Sequence, residues 1–181
     1  RLRSLDGDAQ RTLLLASVAG NEVELSDLQA LAGVDIDVDT SVRTLIERGL
    51  LEERARTEGG ARRVGFANDG MREVLYDTIP LAERKHLHAA LAERWEAIRA
   101  ATKTDPVPLE ELARHWELAG EVGPAVGRLQ DAAAELLSRG EAKAAALLLK
   151  RASANLAALD PLSASRLVLL FVDAFGQIGD P

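Results

Sequence analysis

Three histidines, a scatter of serines, two adjacent carboxylate pairs and a cluster of arginines are the side chains in this sequence with a capacity for chemistry. His86 and His88 stand two apart, and on a helix that spacing turns them to nearly opposite faces. His115 stands alone, and no Glu-x-x-His pairing completes a metal site. Arg84 and His88, four apart, share a helix face. With no cysteine in the chain, thiolate nucleophiles, disulfides and Cys-ligated zinc are excluded. None of Ser4, Ser17, Ser26, Ser41, Ser138, Ser153, Ser163 and Ser165 stands in a Gly-x-Ser-x-Gly elbow. Glu52-Glu53 and Glu110-Glu111 read as solvated faces or helix-start charges. A phosphate-binding Gly-x-x-x-x-Gly-Lys-Ser/Thr loop is also missing, so the segment lacks the usual backbone cradle for ATP. The expectation is a segment with no catalytic or metal-binding residues and no bound cofactor of its own.

The arginines carry the one serious alternative. Arg54, Arg56, Arg62 and Arg63 flank Gly59-Gly60, and Arg43 lies on the helix before them. A hairpin gripping a minor groove beside a helix in the major groove would use such a set for DNA. Against it, Glu52, Glu53 and Glu58 lie in the same stretch, while Asp39 and Glu47 oppose Arg43 and Arg48. The whole chain carries a net charge of −7, a poor match for a polyanion. Protein contact, or a solvated hairpin, is the leading expectation.

These side chains need elements to hold them. Ala9, Leu13 and Ala16 recur at helical spacing, widened by Leu14, Leu15 and Val18, and the helix ends near Gly20. Ser26 with Gln29 has the form of a capping box ahead of Leu28 and Leu31, closed by Gly33. A third helix carries Val42, Leu45 and Ile46, with Asp39, Thr40 and Ser41 as caps and Gly49 as its stop. Leu50 to Arg56 and Ala61 to Phe66 then predict two strands around a Gly-Gly turn. Three helices followed by a hairpin is the winged-helix order. From Gly70 the chain turns wholly helical: Met71, Val74 and Leu75 to about Ile79, then Pro80 to about Ala101 with Leu87, Leu91, Trp95 and Ile98 on one face. Trp95 and Trp116 read as core residues.

Thr102 to Pro108, with two prolines, is the linker candidate. Beyond it Gly120, Ala125, Leu129 and Ala132 are matched twenty residues later by Gly140, Ala145, Leu149 and Ala152, and more weakly by Asp160, Ser165, Leu169 and Val172. Small and large residues alternating on such a period are the logic of a helix-pair solenoid, and Ala113, Trp116, Gly120, Ala125, Leu129 and Ala132 fit tetratricopeptide spacing. The expected organisation is a mainly α chain: a winged-helix domain over residues 1–79, a connecting long helix and linker over 80–107, and tetratricopeptide-like repeats over 108–181. The helix from Leu162 is apolar nearly all round, and Val168, Phe171, Val172 and Phe175 make it a candidate interaction surface for a protein partner or a second copy.

Several motifs, taken in order, resemble a known family. Phe66-Ala67-Asn68, Arg72-Glu73-Val74-Leu75-Tyr76, Arg84 with Leu87-His88, and Leu112-Ala113-Arg114-His115 are similar to the region that follows the ATPase core in bacterial STAND regulators. Those include LuxR-type transcription activators, adenylate cyclases and protein kinases carrying such an ATPase. Leu45 to Leu51 resembles the end of that family's winged-helix recognition-type helix, and the resemblance covers roughly residues 8–158. It implies a parent protein switched by ATP and ADP, an upstream ATPase domain in the same chain, and a winged helix acting as a lever. Where the family commonly has a histidine, this chain has Asn68, which the resemblance makes a nucleotide-sensor position; asparagine can hydrogen-bond there but carries no proton charge.

Composition sets the outer bounds. With 181 residues, 47% hydrophobic and 28% charged, the chain has the make-up of a folded protein of one large or two small cores. Its longest apolar run, Leu167 to Val172, is short of the roughly 20 residues of a membrane span. The ends at Arg1 and Pro181 suggest a piece of a longer polypeptide. A cytoplasmic, non-membrane signalling or transcription-regulating protein is the expectation.

Overall fold

The computed structural model describes residues 5–54, 61–102 and 107–179. Among them are nine α-helices and a three-stranded antiparallel sheet, so the chain is mainly helical. It forms two compact units, residues 1–94 and 95–181, and the division falls inside a helix rather than at the proline-containing linker candidate. Residues 103–106 of that candidate lie outside the described residues.

In the first unit α1 (Gly7–Ala19) starts where the Asp6 carboxylate accepts a bond from the Ala9 amide at 2.7 Å. Ala9, Leu13, Leu15, Ala16 and Val18 are buried, the stripe expected from the spacing. A short strand unforeseen in the sequence follows, β1 (Glu22–Glu24), with Val23 as its one buried residue. It leads directly into α2 (Leu25–Ala32). The Ser26–Gln29 capping box does not form, because the helix begins two residues earlier, with Glu24 at its N-cap position: the Ser26 hydroxyl lies against Glu24, and Gln29 donates to Asp39 at 3.1 Å. The cap of α3 (Val38–Glu47) is likewise Asp37, which accepts from the Thr40 amide and hydroxyl, with Asp39, Thr40 and Ser41 already inside the first turn. Gly49, at φ +66°, closes the turn after α3, a conformation that favours glycine.

The strands β2 (Leu51–Arg54) and β3 (Arg63–Phe66) complete a sheet of order β1-β3-β2. Leu51 faces Phe66, Arg54 faces Arg63, and Val23 faces Val64. Gly65 is required by crowding: a Cβ there would lie 2.9 Å from the Asn21 carbonyl and closer still to the Arg54 guanidinium. Helix α4 (Asp69–Thr78) keeps Leu75 buried but turns Val74 outward, 66% exposed, so the expected Met71–Val74–Leu75 face is shifted. Ile79 is buried at the corner before α5 (Leu81–Ala101). Within this unit Arg94 of α5 donates to the buried Asp27 of α2 at 2.7 Å.

The second unit is built on α6 (Leu109–Ala119), α7 (Val122–Ser138), α8 (Ala142–Ser153) and α9 (Pro161–Gly179). Each helix packs on the next, and α9 packs on α7 as well as α8. Gly120 and Gly140 both adopt positive φ, +88° and +77°, at the turns the twenty-residue period marks. Ala125, Leu129 and Ala132, and then Ala145, Leu149 and Ala152, are all buried. The third copy of the period fails. Leu169 and Val172 are 69% and 66% exposed, and α9 instead buries Leu167 and Ala174, because a 3₁₀ turn at Leu156–Ala158 resets its rotational phase. Trp116 is buried as expected; Trp95 is half-buried, its ring edge-on to His115 at 4.9 Å.

Candidate functional site

Of the five arginines that the alternative DNA grip would use, Arg54, Arg62 and Arg63 are paired with carboxylates of their own unit. Arg62 makes a two-nitrogen contact with Glu53 at 2.6 and 2.8 Å and reaches Asp39 at 3.4 Å. Arg54 pairs with Glu52 at 2.6 Å and approaches Glu22 at 3.8 Å, and Arg63 reaches the same Glu22 at 3.6 Å. Arg43 stands exposed on α3, and Arg56 lies outside the described residues, as does the Gly59-Gly60 turn. Antiparallel pairing puts Arg54 and Arg63 opposite one another on adjacent strands, and Glu22 of the edge strand is within ion-pair distance of both. The sequence reading missed Glu22 because Glu-Val-Glu is too short to show a strand period; the alternation of one apolar residue between two acidic ones is its only trace.

Between α3 and β2 lies an open groove of about 560 Å³, with Ile46 and Leu51 at its apolar side and Arg43, Glu47, Glu53 and Arg62 around it. Both signs of charge line it, so its field suits a peptide-like surface better than a phosphate backbone.

Asn68, expected from the resemblance alone as a nucleotide-sensor position, is the N-cap of α4: its side-chain oxygen accepts from the Met71 amide at 3.3 Å. The side chain thus already satisfies one of the helix's free amides. The neighbouring residues of that family-like stretch also have internal roles. Tyr76 and His88 share a hydrogen bond of 2.9 Å, Arg84 lies over the Tyr76 ring at 4.8 Å, and Arg72 donates to the Ser17 carbonyl at 3.2 Å. His88 and His115 are fully buried, and among the described residues no three His, Asp or Glu side chains converge as metal ligands.

No family model, curated protein or solved structure matches the chain. Its likeness to STAND regulators therefore rests on the residues quoted above.

The remaining candidate surface is on α9. Val168, Val172 and Phe175 are 57%, 66% and 61% exposed, whereas Phe171 is half-buried against the unit's core and stacks on Phe175 at 5.9 Å. Polar contacts fix the start of this helix: Gln130 donates to the Ser163 carbonyl at 2.8 Å, and Arg166 reaches Asp131 at 2.7 Å. The sequence reading did not foresee the ladder to which that last contact belongs. Glu96 accepts from Trp116 at 3.2 Å and from Arg128 at 2.7 Å, and Arg128 pairs in turn with Asp131 at 2.6 Å. Opposite charges spaced by whole helices are invisible to a periodicity search. By length and composition α9 is also the one helix among the described residues capable of crossing a membrane, a point that contiguous apolar runs alone did not reveal, since Arg166 and Asp173 interrupt them.

Proposed function

We propose that this chain is a non-catalytic regulatory and protein-interaction segment of an ATP-dependent signalling or transcription-regulating protein. It joins a winged-helix domain to a tetratricopeptide-like arm. The order α1-β1-α2-α3-β2-β3 with sheet order β1-β3-β2 supports the winged-helix reading, since a helical trio closed by a three-stranded sheet is the arrangement that fold requires. Two helix turns at Gly120 and Gly140, with matching small-residue contacts, support the repeat reading for α6 to α8.

The observation that carries the choice of partner is the pairing of Arg54, Arg62 and Arg63 with Glu52, Glu53, Asp39 and Glu22. A DNA grip needs those guanidinium groups for phosphates and base edges, and releasing them would leave the carboxylates facing a polyanion. The winged helix is accordingly a protein-contacting lever on an upstream ATPase domain in a cytoplasmic parent. ATP and ADP act on that parent, and Asn68 acts through the start of α4 rather than as a charge sensor. The DNA-binding regulator, using Arg43, Arg54, Arg56, Arg62 and Arg63, is the reading this one displaces. The arm supplies the second contact, to a partner protein or another copy through the outer face of α9.

The test is hydrogen exchange on the intact parent protein, loaded with ADP or with a non-hydrolysable ATP analogue. Amides of α3 and β2 should change protection between the two states. Identical exchange in both would remove the lever role.

A further inference from the structure

The outer face of α9 has a pattern that specifies how it is covered. Leu162, Ser165, Leu169, Val172, Gly176 and Gly179 recur at alternating spacings of three and four, the seam of a coiled coil, and all six are exposed. The inward residues, Leu167 and Ala174, lie on the opposite side of the helix and belong to the unit's own core. We propose that α9 pairs with α9 of a second copy, antiparallel and about a two-fold axis. This rests on the self-association reading above and gives it an orientation.

Size and charge both select that orientation. Run antiparallel, the seam sets Leu169 against Val172 of the other copy, Ser165 against Gly176, and Leu162 against Gly179. Every large end residue meets a glycine, and the Ser–Gly layers let the backbones approach closely. The flanks agree. On one side Arg166 of each copy faces Asp173 of the other; on the other side Val168 faces Phe175. A parallel pair would instead put Leu162 on Leu162 and glycine on glycine, and would set Asp173 beside Val168 and leave Arg166 without an acidic partner across the seam. Arg166 can serve both partners, because it is 46% exposed beyond its contact with Asp131 and a guanidinium carries five donors. A bilayer is a poorer occupant: inserting α9 would draw Leu167 and Ala174 out of the core and carry Arg166 and Asp173 into lipid.

The experiment uses the whole chain in sedimentation equilibrium at about 100 μM, where even a weak association of roughly −6 kcal/mol is populated. The wild type should be a dimer. Asp173→Arg and Arg166→Asp should each weaken it about tenfold, and mixing the two variants should restore wild-type affinity. As a check independent of Arg166, cysteine can be introduced into this cysteine-free chain. Leu169→Cys mixed with Val172→Cys should oxidise to the mixed disulfide in preference to either homodimer. A dimer that forms Leu169→Cys homodisulfides and ignores the charge exchange overturns the antiparallel pairing but leaves self-association standing. A monomer overturns both, as does a chain that stays monomeric while binding neutral phosphatidylcholine vesicles.

Discussion

Gly65 and Asn68 show how single residues constrain this chain. A methyl group at Gly65 meets the Asn21 carbonyl, which belongs to the backbone and can yield only by moving the β1 edge. Gly65→Ala should therefore cost roughly 1–3 kcal/mol, read as a lowered melting temperature with helical content retained. Asn68→Ala removes the α4 cap and should cost about 1 kcal/mol, whereas Asn68→Asp, which keeps the acceptor, should cost much less. Equal losses for the two would show that the cap is not what Asn68 contributes. Acid should act through two other caps. Bonds from Thr40 to Asp37, and from Ser163 to Asp160, hold both carboxyls below their ordinary value of 3.8. A group depressed in the folded state stabilises above its unfolded pKa, and that stability is lost as pH falls through the folded value. Below about pH 4 the wild type should thus lose stability more steeply than Asp37→Asn with Asp160→Asn, in acid titrations followed by circular dichroism.

Among the elements, helices were legible and the sheet only in part. The α1 stripe and the Gly stops show in the sequence because a 3.6-residue period repeats several times within each helix. The three residues of β1 give no such repetition, and the caps of α2 and α3 slipped because several acidic or hydroxyl residues compete at each start. The twenty-residue period located α7 and α8 but misjudged α9, where the 3₁₀ turn changes which face points inward. The register for α7 and α8 makes a direct prediction. Ala145 is fully buried between helices and Lys143 is exposed, so Ala145→Trp should lower the melting temperature by overpacking, at roughly 1–3 kcal/mol or more, while Lys143→Glu should leave it unchanged. Matching melting curves would mean the solenoid contact is misassigned.

At the scale of the whole molecule the decisive quantity is where charge is spent. The sequence made the net charge and the arginine cluster plain, but not that the arginines are tied to Glu22, Asp39, Glu52 and Glu53, since Glu22 and Asp39 come from elsewhere in the chain. The same holds for the ladder from Glu96 to Arg166, assembled from four helices. Both features support the proposed protein-contacting role, the first by neutralising arginines that a nucleic acid would need and the second by fixing the helix whose outer face is apolar. Fluorescence anisotropy with labelled duplex DNA, at about 0.15 M salt, tests that claim most directly. The account predicts no saturable binding by the whole chain up to about 10 μM, and no difference between wild type and the Arg62→Ala, Arg63→Ala double variant. Saturable binding that falls steeply with salt and weakens in that variant would contradict it, returning the hairpin to a role on DNA.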